Sequence, residues 1–259
     1  MVNIDLEIKD LYFKAFAKKM AEDQKDRKKG IHVSALSYGC SRKLFYEFKD
    51  DKVWNEEDYY NKYSEDQKAM YKMSIGTAMH VIPLTVEHEV PLSEVVKRGN
   101  NEYLVTGSID EVFTDSEGGK WIVDKKYVGY VPKYEMQAHH RLQVGFYASL
   151  YAANYKIVPK GIILAYFDVP SVYNKDEAPV ATYFCEELTQ NDVKLFKGLK
   201  DKLVEDAVEG LESNIEPIRR TSWYCRYCNY KDTCFSGLSN EEQKAIIDNN
   251  RGDIPVAGQ

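Results

Sequence analysis

The spacing of hydrophobic positions changes along the chain. Over residues 6–20, Ile8, Leu11, Tyr12, Ala15, Phe16 and Met20 recur at the three-and-four interval of one helical face. The charged run AEDQKDRKKG then predicts a helix end and an exposed connection, with Gly30 as the stop. Residues 33–50 predict a second helix that carries Cys40 and takes Ser34 as its cap. The polar stretch 49–68 holds no motif and predicts a mobile insertion or arm. Residues 65–82 return to helical spacing and end near Gly76, Thr77 and His80.

Beyond residue 101 the period falls to two. EYLVTGSIDEVFTD and KWIVDKKYVGYV predict two strands joined through the turn-forming SEGG. Residues 133–155 predict a long helix with Leu142, Phe146, Leu150 and Tyr151 on one face. GIILAYFDV and VATYFCEE predict two more strands, and residues 188–213 an amphipathic helix capped by Thr189. The fold class expected is α/β: a mixed core over 83–212, a helical part over 1–82, and a Cys-rich end and tail over 213–259. That last segment is too short to bury a core of its own, so 1–259 is expected to be one domain.

Composition narrows the functional classes. The chain has 259 residues, 44% of them hydrophobic, and no apolar run near the roughly 18 residues of a membrane span. Its charged N-terminus does not resemble a secretory signal, so a cytoplasmic location and no membrane partner are expected. A net charge of −6 excludes a large uniformly basic surface, though not nucleic acid as a substrate. The 20 tyrosines suit stacking on unpaired bases as well as ordinary packing.

Candidate chemistry concentrates in the first two predicted strands. Asp124 and Lys126 stand two residues apart and share a strand face, while Val123 and Lys125 point away; a hairpin would bring Asp110 alongside. Two carboxylates suit Mg²⁺ or Mn²⁺, and a neighbouring lysine can neutralise charge in a transition state. Acid-x-Lys also occurs at Glu7–Lys9 and Asp66–Lys68 on helix faces. The instance at 124–126 differs because it follows the apolar run Trp121–Ile122–Val123. Gln143 and Tyr147, one helical turn apart, could reach the same site. His80 gains interest only from the acids downstream, and His139–His140 is expected to be an exposed pair.

Five cysteines in a chain without a signal argue against a disulfide framework. Cys225-x₂-Cys228-x₅-Cys234 points to zinc or an iron–sulfur cluster, between which spacing does not choose. Cys40 is the best fourth ligand, and Cys185 is expected to be a buried thiol.

The ordered set of Cys40 in CSRKLFYEF, His80, Asp110 in GSIDEVF, Asp124-x-Lys126, Gln143-x₃-Tyr147 and Cys225, Cys228 and Cys234 resembles the RecB-like nucleases of the PD-(D/E)xK superfamily. The likeness is to the iron–sulfur branch, which includes the CRISPR-associated adaptation exonucleases and the AddB nuclease domain. It implies a restriction-endonuclease-like central mixed sheet flanked by helices, with a C-terminal iron–sulfur cluster clamp. His80, Asp110 and Asp124 would ligate Mn²⁺ or Mg²⁺ with help from the Lys125 carbonyl, and Lys126 would be the catalytic lysine. Gln143 and Tyr147 would orient DNA and the site. The four cysteines would hold a 4Fe-4S cluster, with Zn²⁺ as the alternative. The implied activity is a Mn/Mg-dependent deoxyribonuclease, an exonuclease on single-stranded DNA or duplex ends, working with CRISPR adaptation or recombination proteins. A repair nuclease unrelated to CRISPR and a non-catalytic nucleic-acid-binding subunit are the rival readings. The central triplet opens with Asp124 where glutamate is frequent, a variation the family tolerates.

Overall fold

The computed structural model describes residues 4–26, 30–49, 55–65, 70, 73–76, 78, 83, 85–98, 100–129, 131–168 and 181–249. The chain divides into two compact units, residues 1–29 with 51–82 and residues 30–50 with 83–259. Helices in chain order are α1 (Ile4–Asp26), α2 (Val33–Leu36), α3 (Ser41–Lys49), α4 (Glu56–Glu65), α5 (Ala138–Tyr155), α6 (Gln190–Ser213), α7 (Lys231–Cys234) and α8 (Asn240–Asn249). A 3-10 turn covers Trp223–Tyr227.

In the first unit Phe13, Tyr63 and Met70 form a small buried core that Phe16, Tyr59, Tyr60 and Met73 surround. Residues 56–65 are therefore helical, which corrects the expected arm. Asn55 and Asp58 exchange side-chain-to-backbone hydrogen bonds at 3.1 and 3.0 Å and start that helix. Tyr59 and Tyr63, one turn apart, bring their rings onto the core side.

In the second unit a mixed sheet contains β1 (Ile31–His32), β2 (Glu87–Arg98), β3 (Asn101–Thr114), β4 (Lys120–Val128), β5 (Gly161–Asp168) and β6 (Ala181–Glu187). Strands β2 and β3 form a long antiparallel hairpin. On its other edge β3 pairs in parallel with β1 at residues 105 and 106 and antiparallel with β4 at residues 111–114. Strand β5 is parallel to β4, and β6 closes the order antiparallel to β5. Helices flank this sheet, as the α/β expectation requires.

Strand β2 escaped the hydrophobic pattern. Its burial alternates from Glu89 to Arg98, but its hydrophobicity does not follow, with Glu94 half-buried and Val95 exposed; Pro91 also interrupts the run, as an edge strand permits. The single helix expected over 33–50 is broken. Gly39 adopts φ 64, a left-handed conformation that ends α2, and α3 begins after Cys40. His32 rather than Ser34 precedes α2, without a side-chain cap. Cys40 thus stands between two helices, its carbonyl accepting from Leu44 N–H at 3.4 Å.

Helix α5 is buried on every side from Leu142 to Tyr151 because the sheet and α6 both cover it. Phe146 meets Phe196 of α6 edge-on at 6.5 Å. The cap expected at Thr189 forms as a capping box: Thr189 N–H donates to Asp192 at 2.7 Å and its hydroxyl accepts from Asp192 N–H at 3.2 Å. Among the described residues no helix is long and apolar enough to cross a membrane.

Candidate active site

The site lies where strands part. On one edge of β3 the rungs to β1 end at Thr106 and those to β4 begin at Glu111, so Gly107–Asp110 lie between two partners. Pairing of β3 with β4 starts at Glu111 opposite Val123. One residue further along, the Asp110 carboxylate replaces the missing rung, accepting from Lys125 N–H at 2.7 Å. That bond draws Asp110 beside Asp124.

Asp124 is buried at 2% exposure, and Lys126 Nζ lies 2.7 Å from its Oδ2. The same ammonium donates to Gln143 Oε1 at 3.0 Å, and Gln143 Nε2 donates to the Tyr147 hydroxyl at 3.2 Å. Asp124, Lys126, Gln143 and Tyr147 therefore form one chain of contacts running from β4 to α5. Burial and then the Asp124 charge push Asp110 up to about 7. Burial likewise raises Tyr147 far above the usual phenol range, so it stays protonated.

Lys125 faces the other way. Its Nζ pairs with Glu111 at 3.0 Å, with side-chain exposures of 2% and 0%. Thr85 adds donations to Glu111 from its backbone N–H at 3.1 Å and its hydroxyl at 2.7 Å. A buried pair so saturated fixes the register of β4, and with it the side of the sheet on which Asp124 and Lys126 emerge.

Gly107 makes room for the chain's far end. A Cβ there would stand 2.6 Å from Tyr147 Cε1, inside contact distance of a buried ring that cannot swing away. Gly107→Ala is expected to cost about 1–3 kcal/mol in urea unfolding. It should also loosen Tyr147 and then Gln143, and with them the Lys126–Gln143 contact.

Several residues at the site were not foreseen. Glu89 has φ 48, an uncommon left-handed conformation for a residue with a long side chain, and accepts from Ser108 Oγ at 3.0 Å. Its charge helps raise Asp110. No sequence signal marks it, since β2 itself was not read as a strand. His139 and His140 are half-buried, not an exposed pair. Burial and then the Lys126 charge lower His139 to about 4, while burial, His139 and Lys126 lower His140 to about 2. Their place one turn before Gln143 was the available clue. His80 lies outside the described residues.

A second cluster sits at the C-terminal end. Cys40, Cys225, Cys228 and Cys234 line one cavity together with the cations Lys43, Arg220 and Lys231. Burial pushes the Cys40 and Cys228 thiols up, and the other cysteines add to the effect. Cys185 is exposed on β6, which corrects its expected burial; alternation on an edge strand turned it outward. Among the described residues no three His, Cys, Asp or Glu side chains converge tightly enough to grip one ion.

The family model of the PD-(D/E)XK nuclease superfamily matches residues 19–235, a span that includes the divergent strands, the two acids and the cysteine cavity. The chain belongs to the PD-(D/E)XK nuclease superfamily. The crystal structure of SSO0001 shares its fold, with a TM-score of 0.56 and 18% identity over 88% of this chain and 98% of that one. No curated protein matches the chain.

The PD-(D/E)XK superfamily implies a nuclease that uses a divalent metal such as Mg²⁺ or Mn²⁺, and the residues present fit one. Asp124 Oδ2 is buried and receives no directed hydrogen bond among the described residues, despite the nearby ammonium. Burial, and after it the Asp124 charge, push Asp110 up to about 7 despite the Lys125 N–H and the Lys126 charge. Both features describe a pocket of carboxylate charge that a dication would relieve.

A stability prediction follows from the same charge. Because the folded pKa of Asp110 exceeds its value of 3.8, the folded state binds the proton more tightly, and its contribution to stability is lost as pH rises towards 7. With EDTA present, the urea midpoint should fall between about pH 4 and 7. Asp110→Asn should flatten that fall and stabilise the protein by about 1–3 kcal/mol at pH 8 while abolishing cleavage.

Proposed function

We propose that the chain is a metal-dependent DNA nuclease, cutting single-stranded DNA or duplex ends as an exonuclease. The observation that carries this reading is the contact chain Asp124–Lys126–Gln143–Tyr147 beside Asp110. Asp110 and Asp124, with the Lys125 carbonyl, would hold Mn²⁺ or Mg²⁺. When bound, such an ion supplies a water of lowered pKa and polarises a phosphoryl oxygen.

The chain's own residues do the rest. Lys126 carries its ammonium beside the carboxylates, where a phosphodiester gathers negative charge in the transition state. Gln143 presents its carbonyl to that ammonium and restrains its direction. Lys126, a donor only, requires the Gln143 oxygen and so sets the amide orientation, and Tyr147, kept protonated, accepts from the amide nitrogen that this leaves facing it.

Four cysteines and three cations around one cavity support a 4Fe-4S cluster at Cys40, Cys225, Cys228 and Cys234. The cations suit a group of net negative charge larger than a single ion.

The test uses 5′- and 3′-end-labelled oligonucleotides, single-stranded and duplex, with Mn²⁺, Mg²⁺ or EDTA. Progressive shortening of single strands with either ion, and none in EDTA, is expected. Binding without cleavage in both ions would overturn the nuclease reading. Anaerobic purification should give brown protein containing iron and labile sulfide; colourless zinc protein would overturn the cluster.

A further inference from the structure

A run of ring contacts joins the cysteine cavity to the Lys126 site, and the chemistry proposed above makes no use of it. Tyr38 stands two residues before Cys40, and Tyr224 immediately before Cys225. Tyr38 stacks on His139 with centroids 6.0 Å apart and planes at 22°. Tyr224 meets Tyr38 edge-on at 5.5 Å, and its hydroxyl is hydrogen-bonded to His139 Nδ1. Lys43, one of the cavity's cations, lies 5.2 Å over the Tyr38 ring. Two tyrosines close to cavity cysteines in sequence thus both contact His139.

The contacts continue towards the acids. The His139 and His140 rings are 3.8 Å apart, and His140 Nδ1 lies 3.0 Å from the Tyr166 hydroxyl. Tyr166 pairs with Lys126 between β5 and β4. His140 sits three residues before Gln143 and so overlies it on α5. Tyr166 also accepts from Gln137 N–H at 3.1 Å, so one hydroxyl ties the start of α5 to the His140 ring. Gln137 provides no side-chain cap for α5. The first turn of the helix that presents Gln143 therefore leans on Tyr166 and on the two imidazoles.

We propose that His139 and His140 are positioning residues that transmit the state of the cysteine cavity to the Lys126–Gln143 contact. A group bound to Cys40 and Cys225 anchors the segments bearing Tyr38 and Tyr224, and these clamp His139. The clamp keeps the first turn of α5 formed and the Gln143 carbonyl 3.0 Å from Lys126. Without the bound group the two tyrosines lose their anchor and the turn frays. The proposal rests on the nuclease and cluster readings given above.

Amide hydrogen exchange over residues 138–143 tests it separately from activity, on the full chain with the cavity filled and after Cys225→Ser with Cys228→Ser. Emptying the cavity should speed exchange there about fivefold or more. His139→Ala with the cavity filled should exchange as fast, while keeping its metal content and cysteine-ligand absorption. Both should lose about tenfold in kcat with KM changed less than about twofold, as expected for lost orientation. His140→Asn keeps an acceptor near the Nδ1 position and should recover most of what His140→Ala loses.

Exchange unchanged by emptying the cavity would overturn the proposal, as would His139→Ala with exchange and kcat like those of the parent. Loss of cysteine-bound metal in His139→Ala would also overturn it, because the rings would then serve the cavity alone. A parent that cleaves no DNA sinks the nuclease reading instead, and one without cysteine-bound metal sinks the cluster. In either case slower exchange in the parent than in His139→Ala still supports the ring clamp, and equal exchange still overturns it.

Discussion

Lys126→Ala is expected to lower single-turnover DNA cleavage by about 10³-fold, with the fold intact. The side chain is only half-buried, and removing it creates no core cavity. What disappears is the one positive side-chain charge within 3.0 Å of both Asp124 and Gln143 among the described residues. Mn²⁺ affinity should hold or rise, because Asp124 loses a competing cation. Lys126→Arg should not rescue, since a planar guanidinium cannot satisfy a carboxylate and an amide carbonyl set for a compact ammonium. Lys120→Ala, at the far end of β4 and paired with Glu87, serves as the control and should stay within about twofold of the parent. Quench-flow cleavage at saturating Mn²⁺, with circular dichroism for the fold, distinguishes these outcomes.

The second large effect concerns stability. Replacing Cys228 with serine should cost about 2–5 kcal/mol in urea unfolding, a loss comparable to that of a native cross-link or structural metal. Any group held by Cys40 and by Cys225, Cys228 and Cys234 ties residue 40 to the end of the chain and closes a very long loop. Cys185→Ser provides the comparison: that thiol is exposed and lines no part of the cavity, so its replacement should change the midpoint by less than about 0.5 kcal/mol. Equal effects of the two replacements would remove the case for a ligand at the four cysteines.

Where one face of an element is dry, the sequence pattern anticipated the structure. Strands β4 and β5 announced themselves as short apolar runs, because central strands are covered on both faces, and helix α6 by the 3.6 period of its one covered face. Strand β2 did not, since its hydrophobic residues do not track its alternating burial: Glu94 is half-buried while Val95 is exposed. The break at Gly39 was hidden because apolar residues recur on both sides of it, and the left-handed backbone there is what divides one helix into two.

The site was legible to the same degree and for related reasons. Asp124 and Lys126 could be named because charged residues after Trp121–Ile122–Val123 are costly without a partner or ligand, and Asp110 because a hairpin would bring it alongside them. The adjacent lysines show where such reasoning ends. Lys125 and Lys126 are the same residue type, yet one is sealed against Glu111 and the other faces Asp124. Strand alternation separates their directions; it does not reveal that Glu111 and Thr85 wait for Lys125. Glu89 and the His139–His140 pair depend on contacts between distant segments, which no local period encodes.

Mn²⁺ titration by electron paramagnetic resonance, run beside cleavage of an end-labelled single strand, tests the two-carboxylate centre most directly. The parent protein should bind Mn²⁺ and cleave in proportion to occupancy, and Asp110→Asn and Asp124→Asn should each lose binding and cleavage together. Undiminished Mn²⁺ binding and cleavage in either variant would contradict the account.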